Sequence, residues 1–170
     1  MLELNLDMSS NFEKVVDFNH QFGVPVFETP QPDITKTNPE LTKLRLDLIK
    51  EEVQELEDAI NTHDFTEIAD ALSDILYVVY GAGCSFGIPL DTTFDIVHRS
   101  NMSKLCKTEE VAKQTVEWYQ KEFEEKRLEY DSPNYRKSVD GKYWVVYNES
   151  TGKILKSIEY QKVSFEGVLE

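Results

Sequence analysis

Residues 51–55 read Glu51-Glu52-Val53-Gln54-Glu55, and residues 67–74 read Glu67-Ile68-Ala69-Asp70-Ala71-Leu72-Ser73-Asp74. A helix turns about 100° per residue, so Glu67, Asp70 and Asp74 share one face of theirs. Glu51, Glu52, Glu55 and Asp58 fall on one side of the preceding one. The short polar break Asn61-Thr62-His63-Asp64 between them predicts two antiparallel helices whose acidic faces meet. The second helix continues as Ile75-Leu76-Tyr77-Val78-Val79-Tyr80, apolar nearly all round, and is therefore expected to be buried. No Lys or Arg occurs between Glu51 and Asp74. Buried carboxylates without a cationic partner are costly, and a bound cation is the simplest compensation. Oxygen ligands without His or Cys suit Mg²⁺, or Mn²⁺ as a substitute, rather than zinc. Glu52, Glu55, Glu67, Asp70 and Asp74 are the candidate ligands. A solvated acidic face is the competing reading for Glu51, Glu57 and Asp58, and Glu67 also completes a capping-box pattern with Asp64.

The 170 residues suffice for a domain with a real core, and 40% hydrophobic and 11% aromatic residues indicate a folded protein. The net charge of −14 disfavours nonspecific binding to nucleic acid or membranes. Residues 1–100 hold 19 acids and 6 Lys or Arg, and residues 101–170 hold 13 and 12, so cations for a phosphate-bearing ligand must come largely from the second part. The longest apolar run, 75–84, is too short to cross a bilayer. The start Met1-Leu2-Glu3-Leu4-Asn5-Leu6-Asp7 lacks the basic onset of a signal peptide. Cys84 and Cys106 have no metal spacing and read as reduced thiols, which points to the cytoplasm.

Ser9 or Ser10 is expected to cap a first helix ending near His20, followed by an extended proline-bearing segment over 23–33. Asn38-Pro39-Glu40 starts the first acidic helix, which runs to about Ile60 with Leu41, Leu44, Leu48, Val53, Leu56 and Ile60 as core positions. The second acidic helix ends near Phe86, with Gly87 at its left-handed terminus, and Gly81-Ala82-Gly83 indicates close packing. Asp91 is expected to cap a helix running from Thr92 to about Lys104, on which Asn101 suits base or sugar recognition and Lys104 suits phosphate. Thr108 caps a helix to about Tyr130. Residues 131–141 read as a polar link. Tyr143-Trp144-Val145-Val146-Tyr147 and Ile154-Leu155-Lys156-Ser157-Ile158, flanking a Gly-containing turn, read as a β-hairpin. The expected fold is an all-α helix-bundle core over residues 1–130 with a small C-terminal β-hairpin extension over 131–170, packed on the core or on a neighbouring subunit.

Glu-Glu-x-x-Glu followed by Glu-x-x-Asp on the next helix, together with Val97-His98-Arg99-Ser100-Asn101-Met102-Ser103-Lys104-Leu105, resembles the MazG-like all-α NTP pyrophosphohydrolase superfamily. That superfamily includes dimeric dUTPases, dCTP pyrophosphatases and phosphoribosyl-ATP pyrophosphohydrolase. The resemblance implies a Mg²⁺-dependent homodimer or homotetramer cleaving a nucleoside triphosphate to monophosphate and pyrophosphate, with Glu51 as candidate general base. The segment Gly152-Lys153-Ile154-Leu155-Lys156-Ser157, with Tyr160 following, resembles the tail of virus- and eukaryote-type members, where Lys153, Lys156 and Tyr160 would help seat the substrate. Phosphoribosyl-ATP hydrolysis, or a non-catalytic helical interaction module with a vestigial metal site, are the alternatives. Phe18, Phe22, Phe27, Trp118 and Tyr160 are candidate walls for a base.

Overall fold

The computed structural model describes residues 9–170, so the signal-peptide reading of the first seven residues lies outside the described residues. The fold is mainly helical with one small antiparallel hairpin, as expected. Its contacts divide it into two compact units: residues 1–93 with 166–170, and residues 94–165. The expected boundary near residue 130 therefore differs from the observed division. The helix that follows Thr108 packs its apolar side on the hairpin segment and belongs with it.

In the first unit, α1 (Asn11–Gln21) starts at a capping box in which Ser10 Oγ accepts the Glu13 N–H at 3.1 Å and Glu13 Oε2 accepts the Ser10 N–H at 2.7 Å. A four-residue helix α2 (Ile34–Thr37), not anticipated, precedes α3 (Pro39–Thr62). Asn38 Oδ1 accepts the Leu41 N–H at 3.1 Å and Pro39 sits in the first turn of α3. The chain reverses at His63, which has the left-handed φ of 57°, and Asp64 Oδ1 caps α4 (Phe65–Phe86) by accepting the Thr66 and Glu67 N–H groups. The helices run antiparallel, so Arg45 near the start of α3 meets Ser85 near the end of α4, its Nε donating to Ser85 Oγ at 2.8 Å. Arg45 is buried, and burial pulls its pKa down while Cys84 opposes the shift. A Cβ at Gly81 would stand 3.2 Å from Arg45 Nη1, so the glycine makes room for the guanidinium. Gly87 ends α4 with φ of 66°, and a Cβ there would lie 1.9 Å from the Thr29 carbonyl oxygen.

The expected burial of α4 is corrected. Only Ala71 and the stretch Gly81–Ser85 are buried on it. Phe65, Leu72 and Leu76 are exposed, as are Leu44, Val53 and Ile60 of α3, which had read as core. Among the described residues, the helices that pack most on α4 are α3 and α1. Among the described residues, no single helix is long and apolar enough to cross a membrane.

α5 (Leu90–Met102) spans the division between the units, starting and ending slightly earlier than the sequence implied. In the second unit, α6 (Glu109–Glu124) is capped by Thr108 and stops six residues short of Tyr130. Lys126 takes a left-handed φ of 57°, and Arg127 folds back to pair with Glu122. That reversal lets Leu128 and Tyr130 join the core of Cys106, Ala112, Val116, Tyr119, Val146 and Leu155. The hairpin itself is corrected. It is formed by β1 (Pro133–Lys137), part of the supposed polar link, with β2 (Trp144–Asn148), Tyr135 facing Val146. Arg136 over Tyr147 and Lys137 over Trp144 pair cations with rings across the strands. The supposed second strand makes one bridge, Tyr147 with Ile154, and then crosses α6. Its Lys156 and Ile158 N–H groups go to Tyr119 Oη and Thr115 Oγ1, at 3.1 and 3.2 Å, and the Trp144 N–H and carbonyl that would extend the ladder pair with Cys106 instead.

Asp131 locks the loop after β2. Its Oδ1 accepts from Ser150 Oγ at 2.6 Å, Asn148 Nδ2 at 3.0 Å and Ser132 Oγ at 3.0 Å, and these bonds hold its pKa down at about 2. A carboxyl whose folded pKa is depressed stabilises the fold above its unfolded value, and that contribution is lost as pH falls through the folded value. Asp131→Asn is expected to lower the melting temperature at pH 7, with the deficit closing between about pH 4 and pH 2. Thermal melts followed by circular dichroism check this; an equal deficit at both ends of the range would contradict it.

Candidate active site

The α3–α4 pair assembles an acidic face within the first unit. Glu52 sits on the same side of α3 as Leu41, Arg45 and Ala59, the residues buried along that helix, and is half-buried there. Its pKa is raised by partial burial, then by the charges of Glu55, Asp74, Glu51 and Asp70 in that order. Two of these neighbours, Glu51 and Glu55, stand on α3 and two, Asp70 and Asp74, on α4, so Glu52 feels charge from both helices. Glu51, Glu55, Asp70, Asp74 and Glu67 are all exposed in the single chain. The expected deep burial of these carboxylates is thus corrected: they lie along a helix seam, and only Glu52 is half-buried.

Among the described residues, no three Asp, Glu, His or Cys side chains already converge on one point that could hold a metal ion. The donor chemistry nevertheless fits a hard divalent cation: several carboxylates from two rigid helices, a repelled Glu52 among them, and no Lys or Arg in the intervening sequence. Glu67 stands at the capped start of α4, where its own N–H is held by Asp64. Asp70 and Asp74 are the α4 carboxylates whose charge is felt at Glu52.

The expected phosphate-side residues gather in the second unit. Lys104, Lys153 and Lys156 line one cavity of about 370 Å³ with Trp118, Tyr119, Leu128, Tyr130, Ile154 and Leu155. Lys153 Nζ donates to Tyr130 Oη at 2.8 Å and lies 4.9 Å from the ring centroid. Lys156 Nζ lies 4.7 Å from the centroid of Tyr160, whose hydroxyl accepts from Ser100 Oγ at 2.9 Å. Asn101 is exposed at the end of α5, its carbonyl accepting the Lys104 N–H at 3.2 Å, and its side chain does not line that cavity. Tyr119 and Tyr130 were not anticipated as site residues, because on α6 and after it they read as ordinary packing aromatics. Of the candidate base walls, Phe18 and Phe22 stack on each other at 4.3 Å in the first unit, while Trp118 and Tyr160 stand beside the lysines.

Residues 15–101 match the phosphoribosyl-ATP pyrophosphohydrolase family, more than half of the chain. This chain belongs to that family. The match runs from α1 through α5 and includes every candidate metal ligand. The family lies in the MazG-like all-α superfamily, so the chain is a pyrophosphohydrolase-type protein, of the class acting on acid anhydrides. It is also similar to "Uncharacterized protein L479" of Acanthamoeba polyphaga mimivirus, 33% identical with 98% of each chain covered, so that likeness extends through the second unit, beyond the family match.

Glu52 supplies a stability test. An acid whose folded pKa is raised favours folding at low pH, and that contribution is lost as pH rises through the folded value. Glu52→Gln is therefore expected to raise the metal-free melting temperature at pH 7 to 8, and the gain to shrink as pH falls into the carboxylate range. Scanning calorimetry in EDTA checks it; a metal-free variant less stable than wild type at neutral pH would show that Glu52 is not under repulsion.

Proposed function

We propose that this chain is a Mg²⁺-dependent nucleoside triphosphate pyrophosphohydrolase. It would convert a (d)NTP and water to (d)NMP and pyrophosphate, house-cleaning the nucleotide pool of the cytoplasm. The reading is supported by charge from both helices, Glu55 of α3 with Asp74 and Asp70 of α4, acting on the half-buried Glu52 in a chain of this family. Glu52, Glu55, Asp70 and Asp74, with Glu67 as the alternative in the α4 pair, would hold the ions. Bound Mg²⁺ supplies charge neutralisation for the triphosphate and its leaving pyrophosphate. The Glu51 carboxylate takes a proton from the attacking water, whose oxygen bonds to the α-phosphorus as the bond to the bridging oxygen breaks. Lys104, Lys153 and Lys156, of this chain or of a second copy, hold the phosphates, and Asn101 contacts sugar or base. The reaction gains most from charge stabilisation where negative charge develops, which is why acids, ions and lysines belong to one reading.

The family's name favours a second reading, phosphoribosyl-ATP as substrate. A panel of NTPs, dNTPs and phosphoribosyl-ATP with pyrophosphate detection separates the two. Release from nucleoside triphosphates is expected, and release from phosphoribosyl-ATP alone would replace the first reading with the second. Asp70→Asn keeps the side-chain shape and removes a ligand charge at an exposed position, so Mg²⁺-dependent turnover should vanish with the helical signal intact. Wild-type turnover of this variant at low Mg²⁺ would remove Asp70 from the site.

Self-association completes the proposal. Leu46, Val53 and Ile60 recur every seven residues on α3, all about half-exposed, and Phe65, Leu72 and Leu76 form a similar row on α4. Such rows on paired helices are what a second copy would cover in a homodimer or homotetramer. Ile60→Lys puts a cation in the last turn of α3, where the helix tolerates it, and is expected to lower the mass seen by light scattering. An unchanged mass with an oligomeric wild type would place the interface elsewhere.

A further inference from the structure

The lysine-lined cavity does not end at the lysines. A second cavity of about 450 Å³, lined by Trp118, Tyr119, Lys156, Ser157, Ile158 and Tyr160, shares Trp118, Tyr119 and Lys156 with it. No carboxylate lines either one, in a chain with 32 acids against 18 Lys and Arg. Among the described residues, Lys104, Lys153 and Lys156 take part in none of the ion pairs. Cation–ring contacts hold Lys153 and Lys156 in place without neutralising them. Trp118 leaves 45% of its surface exposed, and its ring meets that of Tyr119 edge to face at 4.8 Å and 84°, which orients the indole beside the cavity. Three unneutralised ammonium groups next to a fixed aromatic plane match a ligand that is polyanionic at one end and flat and aromatic at the other.

We propose that Trp118 is the stacking platform for the nucleobase of a nucleoside triphosphate whose phosphates lie on Lys104, Lys153 and Lys156, and that this site takes all four bases with similar affinity. The inference deepens the reading above and rests on it for the identity of the ligand. The breadth follows from the hydrogen-bond ledger of the cavity walls. Tyr119 Oη accepts the Lys156 N–H, Tyr130 Oη accepts from Lys153, Tyr160 Oη accepts from Ser100, and Ser157 Oγ accepts the Glu159 N–H. Each wall hydroxyl is thus tied to a protein partner, no Asn, Gln, Arg, Asp or Glu lines either cavity, and discrimination between bases requires side-chain groups committed to their edges. A ring face is common to every base, and stacking on it tolerates any of them.

The test is binding to the full chain in EDTA, by calorimetry and tryptophan fluorescence, with ATP, CTP, GTP, UTP, inorganic tripolyphosphate and a short single-stranded oligonucleotide. The four nucleotides are expected within about fivefold of one another, with tripolyphosphate roughly tenfold weaker, the scale of one base on an aromatic ring. Trp118→Leu should erase that tenfold advantage and the fluorescence quenching while leaving tripolyphosphate affinity unchanged, and Trp118→Phe should restore much of the advantage. Circular dichroism confirms that both variants fold, as a half-exposed position allows. Equal affinity for ATP and tripolyphosphate, an unaffected Trp118→Leu variant, a single base preferred more than about a hundredfold, or an oligonucleotide bound more tightly than any mononucleotide would each overturn the proposal. Since no metal is present, binding with this pattern alongside absent pyrophosphate release sinks only the catalytic reading, and the converse sinks only this one.

Discussion

Everything in the first unit turns on like charges held face to face by a helix reversal. His63 in the left-handed region and Asp64 capping the next helix fold α4 back along α3. Packing then fixes the seam: Gly81 admits the Arg45 guanidinium, and small residues at Gly81–Ser85 let the helices approach. With that end clamped, two turns further along α3 Glu52 must face α4, where Asp74 and Asp70 already stand. The repulsion at Glu52 follows from the packing of the two helices, which brings acids of both within range of one half-buried carboxyl. A charge cluster that packing maintains is available work for a cation, and cleavage of a phosphoanhydride is chemistry in which such a cation is useful.

The second unit solves the opposite electrostatic problem. On the proposed reading an acidic chain repels its triphosphate substrate, and cations outside ion pairs keep their charge for it. Lys153 and Lys156 are therefore placed over tyrosine rings, which attract ammonium groups without cancelling their charge. The placement depends on the segment after β2 crossing α6, with its backbone N–H groups taken by Tyr119 and Thr115. Had that segment continued as a strand paired to β2, alternate side chains would have pointed to opposite faces.

Much was legible in the sequence. The acidic pattern, the Asn38-Pro39 start, the Asp64 cap and Gly87 are local signals, each decided within a few residues by capping geometry or by backbone conformation, and each stands where it was expected. The shared helix faces of Glu52 with Glu55 and of Asp70 with Asp74 followed from periodicity alone. The lysines of the tail were singled out by a family resemblance of their segment, which carried nothing of their surroundings.

Tertiary structure decided the rest, because those outcomes depend on partners distant in the chain. Whether Leu72, Leu76, Val53 and Ile60 are core or surface depends on how many elements pack around α3 and α4, and composition carries no count of neighbours. Pro133–Lys137 has a polar strand's composition, and only pairing with Trp144–Asn148 and the rings it offers to Arg136 and Lys137 makes it a strand. Trp118 and Tyr119 read as helix aromatics until Lys104, Lys153 and Lys156 arrive beside them from segments up to 38 residues away. Sequence periodicity determines which side chains share a face; only the packed chain determines what each face meets, since that is set by long-range contacts no local spacing encodes.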